Sequence, residues 1–556
     1  MAYSTTPDDM KGEEIVRRFS ILKQERSAYE GIWDDVTELV LPSRGTYVFQ
    51  TKRDGSDPER KSKRRLDSTA VYACRALVAK VIAEFTNSGS RWFDYRAPDP
   101  TVDKIYEVRA FLQKLSDKVF NHLNASSFLL AHAEVTADWC AYGTACMMAE
   151  SDGKKGYRWK SISPSEIWIA ENKDNEVDCV YRQYQLTYKQ LIEEFGFDTI
   201  PDDIHLSCED TPHKLMKVLH AVEPNSAYNP KKTSKSYFKY RSCFVLEETG
   251  TVLREGSFKR RPYIVFRFWK RTNEVYGGSP AIDAMADIRM LNLLKDVYLR
   301  GAQLSAAPPQ GLAHDSVVSQ LKLVPYGINY GAVSADGKKL VHSLIDGGID
   351  LSSLQYSIQS TSEAIRSAFF VDPLMNRETS IRTAAEVSKR AGEETTGLAP
   401  FLNRFDVEYL SVVLDTMLEY VLEYDNDDPI PQALNGMIPR IEYTAPLAKT
   451  QRGQELNNNL QFAQIVQTVG NVDPTLLQNV NWNRWLRNIG ELLGVPMDNL
   501  NSEEQMQAMA QAQQQAAQAQ QAMQAVQGVA QTLNDSAKSG LLSRQDLGLP
   551  TLPEGL

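Results

Sequence analysis

The chain has 556 residues, with 61 Lys and Arg against 71 Asp and Glu, which gives a formal net charge of −10. Hydrophobic residues make up 42% and charged residues 24% of the sequence, so collagen-like and wholly disordered classes are excluded. At about 150 residues per domain, this length predicts three or four domains. The acidic balance argues against a protein that grips nucleic acid over a broad surface, because such proteins are usually basic.

No segment predicts a membrane span or an export signal. The most apolar stretch, Phe128–Met148, contains Glu134 and Asp138, whereas a membrane helix needs about 20 apolar residues. We expect no signal peptide, because Met1–Glu14 lacks an apolar core. The cysteines form no CxxC pair and indicate a reducing compartment rather than a disulfide framework or a zinc site. They are Cys74, Cys140, Cys146, Cys179, Cys208 and Cys243.

The N-terminal part predicts a long amphipathic helix between Asp8 and Val40, which Pro42 ends. Arg26 is the one break in its apolar series, whose members are Ile15, Phe19, Leu22, Tyr29, Trp33, Val36 and Val40. Further helices are predicted over Leu66–Phe85, Ile105–Leu123 and His132–Cys146.

A polar segment, Ser43–Arg65, separates the first two helices and carries a run of Lys and Arg between Lys52 and Arg65. We favour a solvated loop for this run. Contact with nucleic acid or with an acidic partner is the alternative.

From Tyr157 the pattern changes to short alternating segments that indicate strands. Residues 167–169 and 177–185 flank a polar turn and predict a hairpin. A short helix follows, with a capping box formed by Thr187 and Gln190 and a stop at Gly196. Residues 1–271 therefore predict a mixed α+β domain. Its later strands are predicted over Lys217–Pro224, Tyr240–Glu248, Thr251–Phe258 and Tyr263–Trp269.

The middle of the chain predicts a long helix that starts with Ser279 as N-cap and Pro280 at the first helical position. It should run for roughly 39 Å until Pro308 and Pro309 stop it. Its apolar residues cover more than one side, which indicates packing on more than one face.

Two more helices are predicted after it. One extends over 351–368 and ends before Asp372-Pro373. The other begins at a capping box formed by Thr383 and Glu386 and continues to Tyr420. Gly392, Gly397 and Pro400 interrupt its pattern, so it should be kinked.

The C-terminal part is biased in composition. Residues 505–534 carry no charge and are dominated by Gln and Ala, which are good helix formers. Two interpretations remain open: a disordered tail, or a helix that packs against copies of itself.

No catalytic motif is present: the sequence has no HExxH, GxxxxGK[ST] or GxSxG pattern. His205 and His213 flank Cys208 in an acidic segment, for which we favour a solvated turn over a metal site. Gly143 and Cys146 indicate only a packed helix. We therefore expect no enzymatic activity, no cofactor and no metal.

Several segments in order resemble portal proteins, the head-to-tail connectors of short-tailed bacteriophages. They include the hallmark stretch Asn273–Pro280 and its continuation at 287–292, then Ala368–Phe370, Arg382–Val387 and Leu398–Pro400. The helix around Arg26–Glu30, the segment Glu134–Glu150 and the Gln/Met/Ala-rich tail after Glu503 are similar as well. The sequence departs from the family pattern at 205–260 and at Gly453–Asn483.

The resemblance implies a portal fold, α+β but mainly α, assembled as a ring of twelve subunits around an axial DNA channel. In that scheme residues 1–271 are the wing, 272–305 and 349–371 the two stem helices, and 306–348 the clip. Residues 372–382 are the tunnel loop, 383–424 the kinked backbone helix, 425–502 the crown and 503–556 the C-terminal helix or tail. An acidic chain suits a conduit, because strong phosphate neutralisation would trap DNA.

The implied function is a non-enzymatic portal for viral DNA packaging and ejection. Its implied partners are copies of itself, double-stranded viral DNA, major capsid and scaffolding proteins, terminase and tail adaptor proteins, with no membrane. Its implied location is the portal vertex of the virion, after assembly in the host cytoplasm. Another ring-forming adaptor is the alternative, which the length of the chain disfavours. A nucleic-acid enzyme is disfavoured by the missing motifs.

The resemblance also implies that the tunnel loop faces the channel, so its Arg377 and Arg382 are the candidate DNA contacts. The alternative is that Arg377 pairs with Glu378 or with an acid of a neighbouring subunit, and Arg382 with Glu386.

Overall fold

A computed structural model describes residues 7–42, 65–153, 156–208, 211–232, 234–306, 309–312, 332–333, 336–343, 351–371, 400–426, 428–434, 436–443 and 458–466, with short helical pieces between 482 and 524. The chain forms two compact units. One comprises Met1–Tyr95, Gln113–Pro429 and Arg440–Lys449; the other comprises Arg96–Leu112, Ile430–Pro439 and Thr450–Leu556. The described residues are mainly helical and include several β-sheets, which agrees with the predicted α+β class.

The predicted N-terminal helix is confirmed as α1 (Pro7–Leu39). Its buried face carries Ile15, Phe19, Trp33 and Val36, at the spacing that the sequence predicts.

Arg26 does not interrupt this buried face but belongs to it, since only 2% of the residue is exposed. Its guanidinium donates hydrogen bonds to the carbonyl oxygens of Pro164, Ser165 and Ile167 at 3.2, 2.9 and 2.8 Å. It also lies 3.6 Å from the ring centroid of Trp168, and burial lowers its pKa to about 10. The interpretation of Arg26 as a break was wrong, because a buried guanidinium with enough acceptors can hold a helix against a sheet.

The next helices are α2 (Thr69–Phe85), α3 (Tyr106–Ala125) and α4 (Phe128–Tyr142). The prediction of a helix over His132–Cys146 was wrong at its end. Gly143 adopts a left-handed conformation with φ of 76°, which ends α4, and the chain continues as strand β2 (Thr144–Ser151).

Two antiparallel sheets follow. The first has the order β3-β2-β9, and the second has the order β4-β5-β6-β7-β8. The predicted hairpin is the β4–β5 pair, and the capping box of Thr187 and Gln190 opens helix α5 (Tyr188–Phe195). The strands are β1 (Phe93–Arg96), β2 (Thr144–Ser151), β3 (Tyr157–Ile162), β4 (Ile167–Glu171), β5 (Val177–Thr187), β6 (Leu215–Pro224), β7 (Tyr240–Leu246), β8 (Val252–Phe258) and β9 (Tyr263–Arg267).

His205 does not lie in a solvated turn, as the sequence interpretation proposed. It sits in the short helix α6 (Asp202–Cys208), where it is buried and stacks on Phe197 at 3.9 Å between ring centroids. The aromatic neighbours supplied by the fold bury it, while His213 is exposed. Among the described residues, no group of three or more His, Cys, Asp or Glu side chains could hold a metal ion, and no helix could span a membrane.

The predicted helix from Pro280 is present with a short break at Ala284, as α7 (Pro280–Asp283) and α8 (Met285–Ala306). Strands β10 (Gln310–Leu312) and β11 (Val341–Ser343) pair antiparallel after it. The second predicted helix is α9 (Ser352–Ala368).

Residues 400–424 are continuously helical, but the segment Asp406–Leu410 has π-helical hydrogen bonding before α10 (Ser411–Tyr424). Gly392 and Gly397, two of the predicted kink positions, lie outside the described residues. Strand β12 (Arg440–Tyr443) pairs with β1.

The π-helical segment carries a buried ion-pair network. Arg267, which is 1% exposed, pairs with Glu408 at 2.7 Å and with Glu171 of the β4–β5 hairpin. Lys270 also pairs with Glu171 at 2.7 Å, and Arg404 with Glu408 at 2.7 Å. This network ties the first sheet, the hairpin and the helix after 400 together, and it satisfies a guanidinium that would otherwise be costly to bury.

In the second unit, the Asp103 carboxylate accepts a hydrogen bond from the Ala97 amide at 3.0 Å and pairs with Arg96 at 3.7 Å. Residues 458–466 are helical, and Trp482 and Trp485 meet edge to face. The described residues of the Gln/Ala-rich part, including 515–520, are helical and exposed.

Asp406 generates a pH prediction, because burial raises the pKa of its carboxyl from 3.8 to about 7. The folded state favours the protonated carboxyl. The part of the free energy of unfolding that depends on Asp406 is therefore largest below pH 4, and it is lost as pH rises through 7. Asp406→Asn should therefore flatten the loss of stability between about pH 4 and 7. At about pH 8 it should stabilise the protein by up to about 4 kcal/mol.

Apparent Tm measured at several pH values checks this expectation. The exposed Asp174→Asn is the matched control and should follow the wild type. If the Asp406→Asn variant showed the same dependence of Tm on pH as the wild type, a raised pKa of Asp406 would be contradicted.

Candidate functional site

Three glycines bring two backbone segments into direct contact at the start of the long helix. A Cβ atom added to Gly143 would lie 2.5 Å from the carbonyl oxygen of Gly277, and one added to Gly277 would overlap the carbonyl oxygen of Gly143. A Cβ on Gly278 would overlap the indole of Trp269. Only glycine leaves room for this crossing.

Hydrogen bonds fix the same crossing. The Gly277 amide donates to Thr144 Oγ1 at 2.8 Å, and Ser279 Oγ donates to the Ala141 carbonyl at 2.7 Å. The same Ser279 Oγ accepts from the Ile282 amide at 3.1 Å as the N-cap of α7. The start of the long helix is therefore bound both to the end of α4 and to the beginning of β2.

Helices α8 and α9 form an antiparallel pair. Ile365, near the end of α9, lines the same small cavity as Ile288 and Leu291, near the start of α8. The Asn292 side chain accepts hydrogen bonds from the amides of Leu66 and Asp67 at 2.7 and 3.3 Å, ahead of α2. The pair is thus packed on its own subunit along one side.

The opposite side of α8 carries an exposed apolar stripe. Its members share one arc of about 60° on the helix, turned away from Leu291 and α9. They are Met290, Leu293, Val297 and Leu304, exposed to 47%, 62%, 43% and 41%; Leu299, exposed to 46%, lies outside this arc. A contiguous row of apolar side chains exposed to water is unfavourable for an isolated subunit. It therefore indicates a surface that contacts another protein.

Helix α9 presents a different surface. Its exposed positions include Gln355, Tyr356, Gln359 and Ser360. Glu363 and Arg366 are the charged residues of the helix. The pair therefore offers an apolar side on α8 and a nearly uncharged polar side on α9.

Two of the buried histidines, His132 and His220, are held by hydrogen bonds in the core. His132 contacts Thr86 Oγ1 at 2.7 Å and the Tyr409 hydroxyl at 2.8 Å, while His220 contacts the Tyr263 hydroxyl at 2.6 Å. Burial lowers the pKa of both to about 3, so both stay neutral and are engaged in the core.

The candidate residues named from the sequence, Arg377 and Arg382, lie outside the described residues. The sequence interpretation missed the Arg267–Glu408 pair, because a cation at the end of an apolar strand gives no signal of its partner. It noted several apolar sides of α8 but not which of them would be exposed.

The comparisons with known proteins extend over most of the chain. A model of the family described as bacteriophage head to tail connecting protein matches residues 12–500. The chain belongs to this family. It is 26% identical over 491 residues to the probable portal protein of Bordetella phage BPP-1, covering 86% of this chain and 87% of that protein. It is 25% identical over 509 residues to the portal protein of Salmonella phage epsilon15, covering 89% and 90%.

The resemblance predicted from the sequence is thus confirmed at the level of the family. The hallmark stretch Asn273–Pro280 contains Gly277, Gly278 and Ser279, so in this connector the motif has a structural role. It is the segment that attaches the helix pair to the α4–β2 junction.

The glycine crossing generates a direct prediction. Gly277→Ala should lower the apparent Tm by about 5 °C or more, or yield insoluble protein, because its Cβ meets rigid backbone rather than a mobile side chain. Gly31→Ala is the control: it lies in α1 with open space around it and should be neutral or stabilising. Equal Tm values for the two variants would show that the crossing tolerates a side chain.

Proposed function

We propose that this protein is a portal: a non-enzymatic ring at one capsid vertex, through which viral DNA is packaged and ejected. Membership of the connector family and the names of the two relatives support this. The observation that carries the proposal is the exposed apolar stripe of α8, on a helix whose opposite side is packed over its first half at Met285, Ile288 and Leu291.

A stripe on one subunit must meet a different surface on its neighbour if the contacts are to close into a ring. Full burial of a large apolar side chain is worth about 1.5–3 kcal/mol. Four half-exposed residues therefore offer roughly 3–6 kcal/mol per interface before the entropy cost of association. In a ring, proposed here to contain twelve subunits, this contribution repeats at every interface.

We assign the regions accordingly. Residues 1–271 form the wing, 272–305 and 349–371 the stem, 306–348 the clip and 372–382 the tunnel loop. Residues 383–424 form the backbone helix, 425–502 the crown and 503–556 the C-terminal tail. The nearly uncharged polar side of α9 suits a channel wall, because it offers DNA few phosphate-neutralising contacts.

The proposed partners are double-stranded viral DNA in the channel, the major capsid and scaffolding proteins, the terminase and the tail adaptor proteins. The energy for packaging comes from the terminase. The protein works at the portal vertex of the virion and assembles in the host cytoplasm.

The stripe predicts the behaviour of a double variant, Leu293→Glu with Val297→Glu. Two carboxylates in the subunit contact should shift purified protein from a ring to monomers or small oligomers, because their desolvation outweighs the apolar gain. Particle mass in solution is the measurement. Gln303→Glu, exposed on the same helix but outside the stripe, should keep the ring.

Thermal unfolding of the double variant should show a folded subunit. A full-size ring in the double variant would remove the stripe from the interface and leave the proposed function without its structural support.

The tunnel-loop arginines carry the second prediction. We propose that Arg377 and Arg382 contact phosphates of DNA in the channel, once per subunit around the ring. Arg377→Ala should leave assembly intact and reduce the retention of packaged DNA. The reduction should shrink with rising salt, because exposed charges are screened within about 8 Å at physiological ionic strength.

DNA retention by particles carrying Arg377→Ala, measured at low and high salt, checks this proposal. Wild-type retention at low salt would exclude a DNA contact. A ring that fails to form would instead identify Arg377 as part of an ion pair between subunits.

A further inference from the structure

The connection between β6 and β7, together with the first two residues of β7, is strongly basic, although the whole chain is acidic. Residues 225–241 contain five cations and no Asp or Glu. The cations are Lys231, Lys232, Lys235, Lys239 and Arg241. We call residues 225–241 the basic loop. It lies in the part of the chain where the sequence departs from the family pattern.

Hydrogen bonds define the backbone of the basic loop on either side of residue 233, which lies outside the described residues. Asn225 Nδ2 donates to the carbonyl oxygens of Ser236 and Phe238 at 2.9 and 2.8 Å, which ties the two ends of the loop together. Asn229 Oδ1 accepts from the Lys231 amide at 3.0 Å, and the Asn229 amide donates to the Tyr237 carbonyl at 3.2 Å. The positions from which the lysines project are thus set before any partner binds.

The lysine side chains of the loop are exposed, and aromatic rings support some of them. Lys232 Nζ lies 3.9 Å from the Tyr237 ring centroid, and Lys239 Nζ lies 5.6 Å from that of Tyr240. Each contact steadies an ammonium group without removing its charge. Tyr237 is half-buried and Tyr240 is buried.

The β8–β9 turn extends this surface. Ser257 Oγ donates to the Lys235 carbonyl, and Lys259 Nζ lies 6.0 Å from the Phe238 ring centroid. Carboxylates balance the turn in part: Arg260 pairs with Glu419 at 2.7 Å, and Lys259 lies 3.9 Å from Glu419.

Other carboxylates lie near the edges of the loop. Arg241 pairs with Glu255 at 2.9 Å. Burial raises the pKa of the Asp178 carboxyl, and the nearby charge of Lys239 opposes that rise. Among the described residues, by contrast, no carboxylate lies within 4 Å of Lys231, Lys232 or Lys235. The excess positive charge is therefore concentrated on the loop itself.

We propose that the basic loop is a binding site for the phosphate backbone of duplex DNA, separate from the tunnel-loop arginines. Lysine is depleted from protein–protein interfaces, where aromatic residues and arginine are enriched, so a lysine-dominated surface favours a nucleic-acid partner. A lysine is a point charge on a flexible stem, and phosphate contacts of this kind position DNA without reading its sequence. The inference rests on the proposed function only in identifying this DNA as the viral genome.

The experiment uses the full-length protein and a labelled duplex of about 30 base pairs. The test variant changes Lys231, Lys232, Lys235 and Lys239 to Gln. The control variant makes the same change at four exposed lysines elsewhere and so alters the net charge equally. These are Lys114, Lys173, Lys189 and Lys214.

Affinity is measured by fluorescence anisotropy between about 50 and 200 mM salt. The test variant should bind at least about tenfold more weakly than the control at low salt. Its slope of log affinity against log salt should fall by about 3 to 4, because each phosphate contact contributes about 0.9. The matching Lys→Arg variant should retain the wild-type affinity and slope.

Equal DNA affinity of the test and control variants would overturn the proposal. So would a test variant that keeps its DNA affinity but loses binding to polyglutamate, which would assign the loop to an acidic protein. A Lys→Arg variant as weak as the Lys→Gln variant would also overturn it, by showing that charge is not what matters. Particle mass, measured on every sample, tests the proposed ring independently of these outcomes.

Discussion

The contact on which the described part of the first unit depends is the approach of Gly143 to Gly277. The backbones meet with no room for a Cβ atom, just where α4 turns into β2 and where the chain leaves β9 for the long helix. The Phe268 amide donates to the Gly143 carbonyl at 2.9 Å, so one residue ends a helix, joins a sheet and seats the helix pair. A shift there would move the apolar stripe of α8 relative to the sheets. In the proposed ring that variation would not be tolerated, because each contact between subunits is repeated at every interface.

Two buried arginines, Arg26 and Arg267, also connect distant elements of the fold. Arg26 joins α1 to the backbone before β4, and Arg267 joins the β4–β5 hairpin to the π-helical segment that contains Glu408. Buried ion pairs contribute little net stability compared with apolar packing, but leaving one partner unpaired is costly. Their effect is therefore to specify one arrangement of the elements. The extra residue of the π-helical segment fits this role, because Glu408 reaches Arg267 while Tyr409 stays in the core.

Local patterns in the sequence predicted much of this fold. The period of α1, the capping box at Thr187 and the Ser279-Pro280 start are properties of neighbouring residues, and the structure has all three. Arg26, the end of α4 and the burial of His205 were misjudged, because carbonyl oxygens, a left-handed glycine and aromatic rings from distant segments decide them. For the candidate site the sequence indicated several apolar sides of α8, and only the packing of α9 tells which of them stays exposed. The basic loop escaped notice because its lysines are interleaved with aromatic residues. The denser run between Lys52 and Arg65 drew attention instead.

The distribution of charge gives a physical reason for the two kinds of DNA contact proposed for this acidic protein. Phosphate contacts made by a single subunit multiply in a ring, so even one cation per subunit facing the channel yields a dozen in the proposed assembly. Since affinity falls by nearly one power of salt per contact, a densely basic wall would hold DNA too firmly to let it pass. In the proposed channel, the nearly uncharged exposed side of α9 avoids that problem. A surface that holds DNA in place has the opposite requirement. In its proposed role the basic loop would meet it with exposed lysines on a backbone that the side chains of Asn225 and Asn229 hold in place. Movement and retention thus call for different surfaces, which the nearly uncharged side of α9 and the lysines of the basic loop would provide.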